Sequence, residues 1–470
     1  MKVLLVAPPK TGVYGSERYP PIGLGYIASI LKSNSHEVDI KDCIILNWDE
    51  NALFKYISEF KPDVIGITLF SQAFSSVESV LKRVKKEFPK LITIVGGPHP
   101  TALPEKVLVE LPDADYGCNG EGEYTLKLLL DKIKNKDKSY VDVPGLIWRD
   151  GDKNKFNAKL EHEPVDDFGM PDWELINPNL YNVNSINIEE KTAVILTSRG
   201  CPFPCRFCVR LGKKLRLRKV ENIYDEMIYL NKKYGIKKFH LGDEGFPINK
   251  QYVKEFCRFM IEKGDGFEFF ASCGLRLNTL DSEMLELMKQ AKFKREFNVG
   301  IESCVPKVRN NLMKKNLLQD DLINGLRLLN KHGFKPNGNF ILGYPGETKQ
   351  DILESIKIAL TLPLLGANFS PFLPLPGSEE TKTLIENGEI PENFDYSRIK
   401  MDSVLYAPKG MTPLEIDNLR KRAVFLFNIR PRVLFGKHLS RKNIVWSFFK
   451  FIKIFTPNFL LPKSMKREVK

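Results

Sequence analysis

A chain of 470 residues is long enough for two or three domains. Its 43% hydrophobic and 27% charged residues are those of a globular protein and exclude disordered or collagen-like chains. The net charge of +13 sits almost wholly in residues 401–470, with 15 Lys and Arg against 4 Asp and Glu, which excludes a uniformly basic nucleic-acid binder.

The N-terminal "MKVLLVAPP" is too short an apolar run for a signal peptide, and no stretch reaches the roughly 18 apolar residues of a membrane span. Eight cysteines then point to metal or redox chemistry rather than a disulfide framework, in a protein expected to be cytoplasmic. Residues 1–138 alternate apolar strands ("KVLLVAP", "EVDIKD", "DVIGITLF", "LITIVGG", "ADYGCNG") with helical segments. Continuous apolar strands separated by helices predict a doubly wound parallel sheet covered on both faces. Ligands of such sheets sit at the strand C-termini, here Pro8-Pro9, Leu69-Phe70-Ser71, Gly96-Gly97 and Gly120-Glu121-Gly122. Residues 139–189 are polar and proline-punctuated and read as a linker carrying a small hairpin. Strand–helix alternation resumes over 190–400 with about six units, which fits a partial (β/α)6 barrel. A mostly helical segment, 401–470, ends the chain.

"TSRGCPFPCRFC" (197–208) follows the first strand of the second unit and places Cys201, Cys205 and Cys208 in a C-x3-C-x2-C spacing. Thiolates so spaced are metal ligands, and three of them leave one position open for a further ligand. A zinc site completed from elsewhere is the bland alternative. The motif resembles that of the radical S-adenosylmethionine (SAM) enzymes. The resemblance implies that the three cysteines hold a [4Fe-4S] cluster whose fourth iron is chelated by SAM, and that an electron cleaves SAM to a 5′-deoxyadenosyl radical. It also implies that Phe207 packs near the adenine and that Asp243 and Glu244 of "LGDE" meet the SAM amino group. Arg276 and Glu302 match positions near the carboxylate and ribose, and Gly343 and Tyr344 of "ILGYPGET" line the adenine. On residues alone, Asp243 and Glu244 also read as a solvated loop and Glu302 as a helix cap.

Together with "PPIGLGYIASILK", "KPDVIGITLF", "IVGGPHPTALPE" and "CNGEGEYTLKLLL", the chain resembles the cobalamin-binding radical SAM enzymes of the anaerobic Mg-protoporphyrin cyclase-like layout. That resemblance implies cobalamin bound at Leu69, Phe70, Ser71, Gly96, Gly97, Gly120, Glu121 and Gly122. The D-x-H-x-x-G motif of a cobalt-ligating histidine is missing, so a base-off cobalamin without a histidine ligand is expected. A flavodoxin-type domain and a methylthiotransferase match less well, since "APPKTGVYG" is a poor phosphate loop and only Cys43 and Cys118 precede the triplet. The chemistry implied is methylation of an unactivated carbon, with radical cyclisation or rearrangement as the alternative; a corrinoid or cluster carrier without catalysis is the reading from another class. Within the tail, "NIVWSFFKFIKIF" (443–455) sets a basic arc against an aromatic one. This suits an interfacial helix and a lipophilic small-molecule substrate, a helix packed on the barrel, or a docking face for a flavodoxin or ferredoxin electron donor.

Overall fold

The computed structural model describes residues 1–9, 19–161, 164–181, 191–210, 212–246, 248–271 and 274–436. Five parallel strands open the chain: β1 (Lys2–Ala7), β2 (Glu37–Asp42), β3 (Val64–Thr68), β4 (Ile92–Gly96) and β5 (Tyr116–Cys118). Alternate residues of β1 enter different cores. Val3 and Leu5 pack against Ala28, Leu31 and Leu129 of the helices Ile22–Ser33 and Gly122–Lys134. Leu4 and Val6 pack against Leu53, Ile57, Val80 and Val84 of the helices Glu50–Phe60 and Phe74–Glu87. Burial on both faces is what the unbroken apolar runs require. The strand order β2-β1-β3-β4-β5 reverses between β1 and β3, which opens a crevice beyond Pro8-Pro9 and Leu69-Phe70-Ser71.

The hairpin of the linker does more than connect. Its strands β6 (Leu146–Asp150) and β7 (Lys153–Phe156) add antiparallel to β5, with Gly117 opposite Ile147 and Cys118 opposite Leu146. Exposed Lys153 and Lys155 sit on the outer strand, where charge discourages edge-to-edge pairing. After the hairpin, Trp173 is buried and donates from Nε1 to Glu226 at 2.9 Å, while Glu226 also pairs with Arg218 at 2.7 Å. The linker is thus wedged between the first unit and the helix Val220–Tyr234.

Among the described residues, the second unit has six parallel strands in two triplets. β8 (Thr192–Ile195), β11 (Lys238–Leu241) and β12 (Glu268–Ala271) form one; β13 (Glu296–Glu302), β14 (Lys335–Leu342) and β15 (Gly366–Pro371) form the other. Parallel bridges Phe269–Phe293 and Leu275–Val299 join them into one open half-barrel. Two short strands, β9 (Ser198–Arg199) and β10 (Arg216–Leu217), pair antiparallel just after β8. The helix Pro413–Asn428 packs on β15, with Phe427 6.1 Å from Phe369 ring to ring. The amphipathic segment 443–455 lies outside the described residues. Among those described, no helix is long and apolar enough to cross a membrane.

Candidate functional site

The C-terminal ends of the two sheets face each other. Tyr19, ahead of the first helix, lies over His240 of β11 at 5.5 Å between rings. Lys106 of the first unit donates to the Glu392 carbonyl at 3.2 Å, and a side chain at Gly377 would strike Ala102. The strongest link is ionic. Glu121 accepts from Arg216 at 2.6 and 2.9 Å and pairs with Arg199 at 3.3 Å; Arg199 also reaches Glu123 at 2.7 Å. Burial alone would raise the Glu121 carboxyl, but Arg216 and Arg199 outweigh it and hold it low.

The cysteine loop spans β9 and β10. Cys201 N–H donates to the Gly212 carbonyl at 3.1 Å, and Cys208 N–H to the Cys205 carbonyl at 3.2 Å. Gly200 has φ +83°, and a Cβ there would stand 2.1 Å from the Lys214 carbonyl oxygen, so only glycine fits before Cys201. The far side of the loop is tied by Arg206, whose Nε donates to Glu380 at 2.8 Å and whose N–H donates to the Met313 carbonyl at 3.1 Å. Burial pushes the Cys201 thiol up. Burial, then Cys205 and Cys201, push Cys208 up to about 11. Among the described residues, no group of three or more His, Cys, Asp or Glu is gathered closely enough to hold a single ion.

Two cations face these thiols. Arg276 is buried, stacks over Phe203 at 3.4 Å, donates to the Lys315 carbonyl at 2.7 Å and leaves its buried Nε without a partner. Lys315 pairs with Glu302 at 2.6 Å and lies 5.9 Å above the Phe207 ring. Glu302 closes β13 at φ +64°, next to a register shift after Gly300, a backbone state that a non-glycine residue adopts at a cost. A Cβ at Gly300 would lie 2.6 Å from both the Glu302 carboxylate and the Lys315 ammonium, so glycine keeps their cradle open. Three thiols held beside two cations and an unpaired guanidinium N–H fit a cluster with an anionic ligand, because a metal ionises the thiols that bind it.

The two neighbouring acids of "LGDE" separate. Asp243 is buried and accepts from Thr197 N at 2.7 Å, Ser198 N at 3.2 Å, Ser198 Oγ at 2.9 Å and the Thr197 hydroxyl. Its carboxylate braces the entry to the cysteine loop. Glu244 stands beside the loop with its side chain open to solvent on one side; the protein packed on its carboxyl end raises it, and the Gly200 N–H pulls it down. Phe207 packs edge-on to Tyr344 at 6.5 Å, while the Tyr344 hydroxyl donates to Glu380 at 2.6 Å.

The Gly343–Tyr344 turn wraps a buried acid that sequence reasoning missed. Glu347 accepts from Gly343 N at 2.8 Å and Tyr344 N at 3.1 Å, and burial pushes it up to about 8. The folded protein therefore holds a proton there that the unfolded chain has released. That stability is full below the ordinary carboxylate range and drains as pH rises towards about 8. The melting temperature of the apoprotein is expected to fall between about pH 5 and about pH 8, and Glu347→Gln to flatten that slope, as read by thermal unfolding.

In the crevice of the first unit the predicted residues split likewise. Leu69 is fully buried, so only its backbone reaches the rim, bonded to the Gly96 carbonyl at 2.7 Å and the His99 N–H at 3.0 Å. Phe70 is exposed. Ser71 Oγ is 2.9 Å from His99 Nδ1, and His99 is itself buried. Gly97 takes φ +103°, and a Cβ there would stand 3.0 Å from Thr68 Oγ1 and 3.3 Å from the Leu69 backbone, while one at Gly96 would make only an ordinary contact with Cys118. Gly120 and Gly122 lie against Lys159 and Ile27. Glu121 is engaged by Arg216 and Arg199.

Residues 14–130 match the B12 binding domain model and residues 195–359 the radical SAM superfamily model. The uncharacterized methyltransferase PH0819 of Pyrococcus horikoshii is 30% identical over 92% of this chain and 94% of its own. The anaerobic magnesium-protoporphyrin IX monomethyl ester cyclase of Rubrivivax gelatinosus is 26% identical over 87% and 74%. The solved cobalamin-dependent S-adenosylmethionine radical enzyme OxsB, with aqua-cobalamin and SAM bound, shares the fold with a TM-score of 0.73 at 17% identity, over 99% of this chain and 74% of that one. With both domain models matched in order and a relative this similar along nearly its whole length, the chain belongs to the cobalamin-binding radical SAM enzymes, whose cofactors are a [4Fe-4S] cluster, SAM and cobalamin.

Proposed function

We propose that the protein methylates an unactivated carbon of a small molecule held between its two units. The observation that carries this reading is the cysteine loop with its cations, set facing the ligand-binding end of the first sheet. When bound, the cluster and SAM supply a hydrogen-abstracting radical, and cobalamin supplies a transferable methyl group.

The chain's own residues do the positioning. Cys201, Cys205 and Cys208 hold the cluster. Arg276 and Lys315 draw the methionyl carboxylate towards it, and Glu244 stands ready for the ammonium. Phe207 and Tyr344 wall the adenine side. The rim of Leu69, Ser71 and Gly97 backbone receives the corrinoid, with Phe70 exposed to it. Arg199 and Arg216, clamped on Glu123 and Glu121, tie the strands that flank the cysteine loop to the first unit. Each radical cleavage of SAM consumes one electron, which a flavodoxin- or ferredoxin-class donor supplies.

Anaerobically reconstituted protein with a chemical reductant is expected to form both S-adenosylhomocysteine and 5′-deoxyadenosine, measured by liquid chromatography. 5′-Deoxyadenosine alone would transfer the reading to cyclisation or rearrangement. Formation of neither, with cluster and corrinoid both present, would leave a carrier.

A further inference from the structure

The open half-barrel has an unusual inner face. Along β13–β15, alternate residues point to opposite sides of the sheet. Phe297, Val299, Phe340, Leu342 and Phe369 are buried and join the core with the surrounding helices. The other set carries Asn298, Asn337, Asn339 and Ser370, partly exposed, and Asn368, exposed, with Ile341 at its far end packed against Tyr344 and its neighbours. Barrels of this kind commonly fill that position with branched aliphatic side chains. Here it carries four carboxamides.

They lie in layers. Asn298 is in register with Asn337, and Gly300 with Asn339 and then Asn368. The Asn368 amide donates to Asn339 Oδ1 at 3.0 Å. A Cβ at Gly366 would sit 2.4 Å from Asn337 Oδ1, so glycine there leaves room for the Asn337 carboxamide. The amide layers lie along the same strands that end at Glu302 and the Gly300 cradle. On the facing strands His240 stacks on Phe270 at 4.6 Å, and the Lys294 ammonium stands 4.8 Å over the Phe270 ring.

Each carboxamide offers two N–H donors and an acceptor oxygen, and an amide buried under an apolar ligand loses its water with no replacement. A lipid in this lumen would strand the carboxamides of Asn298 and Asn337 and the groups that Asn339 and Asn368 do not already give each other. A substrate bearing hydroxyl or amide groups would pair with them. Resting on the reading of the site as a SAM-dependent radical centre, we propose that the half-barrel takes a polar, multiply hydrogen-bonding substrate through Asn298, Asn337, Asn339 and Asn368, in place of the lipophilic substrate suggested by the tail.

The test uses full-length holoprotein, with the cluster EPR signal and the corrinoid absorption recorded first. Failure of either spectrum sinks the cofactor reading and is distinguishable from a failure to bind substrate. Calorimetric titration with cytidine, N-acetylglucosamine and glutamine, and with geranylgeraniol in mixed micelles, then reads the preference of the lumen. At least one polar probe is expected to bind, and Asn339→Leu and Asn368→Leu to weaken it by roughly tenfold or more with both cofactor spectra unchanged. Asn339→Asp, which keeps the shape and loses donors, is expected to fall between. No binding by any polar probe overturns the proposal, as does polar binding unaltered in both leucine variants. Geranylgeraniol binding that tightens in those variants while polar probes stay silent restores the lipophilic substrate.

Discussion

Cys205→Ala is expected to abolish reductive cleavage of SAM while leaving the fold in place. The loop that carries Cys205 is held at both ends by bonds that do not involve the thiol: Cys201 N–H to Gly212, Arg206 to Glu380 and to Met313. Removing the thiol therefore removes a ligand without removing the scaffold. Losing an outer partner of a metal ligand typically costs about 10- to 100-fold in affinity or activity, so losing a ligand should cost more than about 100-fold. Iron and sulfide content after anaerobic reconstitution, the EPR signal of the reduced cluster and the rate of 5′-deoxyadenosine formation should all collapse together. Cys257→Ala and Cys304→Ala are the controls, since both side chains are fully buried within the hydrophobic core. They should lose on the order of 1 kcal/mol of stability and keep the cluster. A Cys205→Ala protein that still cleaves SAM at the parental rate would remove the cluster from this loop.

The parts of this architecture that were legible from the sequence are those whose signal is local. Two-sided burial writes itself into β1 as an unbroken apolar run, and the three thiols declare themselves by spacing. The alternation of amides in "KPNGNFIL" was equally visible, yet its meaning depended on which face of β14 turned inwards. What stayed hidden depended on distant partners. Glu121 read as part of a glycine-rich ligand loop because nothing near it in the chain reveals Arg216, 95 residues on. Lys315 follows another lysine in a stretch without motif, and only the fold brings it to Glu302. The linker hairpin was legible as a hairpin, but its docking on β5 was not, since a strand edge carries no label for its partner. Asp243 and Glu244 make the same point at the closest range. They are adjacent carboxylates of the same loop, and the tertiary structure gives them different work.

That difference is measurable. Asp243→Ala leaves the Thr197 and Ser198 amides and both hydroxyls without their acceptor in a place water scarcely reaches. At about 1–3 kcal/mol for each buried donor left unpaired, even partial rescue by water leaves a loss of roughly 3 kcal/mol or more. The apoprotein should show it as a lower denaturation midpoint, before any cofactor is added. Asp243→Asn, with one acceptor oxygen in place of two, should fall between. Glu244→Gln removes a charge from an exposed position and should move stability by no more than about 0.5 kcal/mol. Its effect belongs to the loaded enzyme: a charge-assisted hydrogen bond of about 1.5–3 kcal/mol lost from the SAM ammonium raises the KM for SAM by roughly tenfold or more. If Asp243→Ala instead left the midpoint untouched and raised the KM, the brace would be the ligand after all. The contrast between the two substitutions, stability against affinity, assigns each acid by experiment where its place in the chain could not.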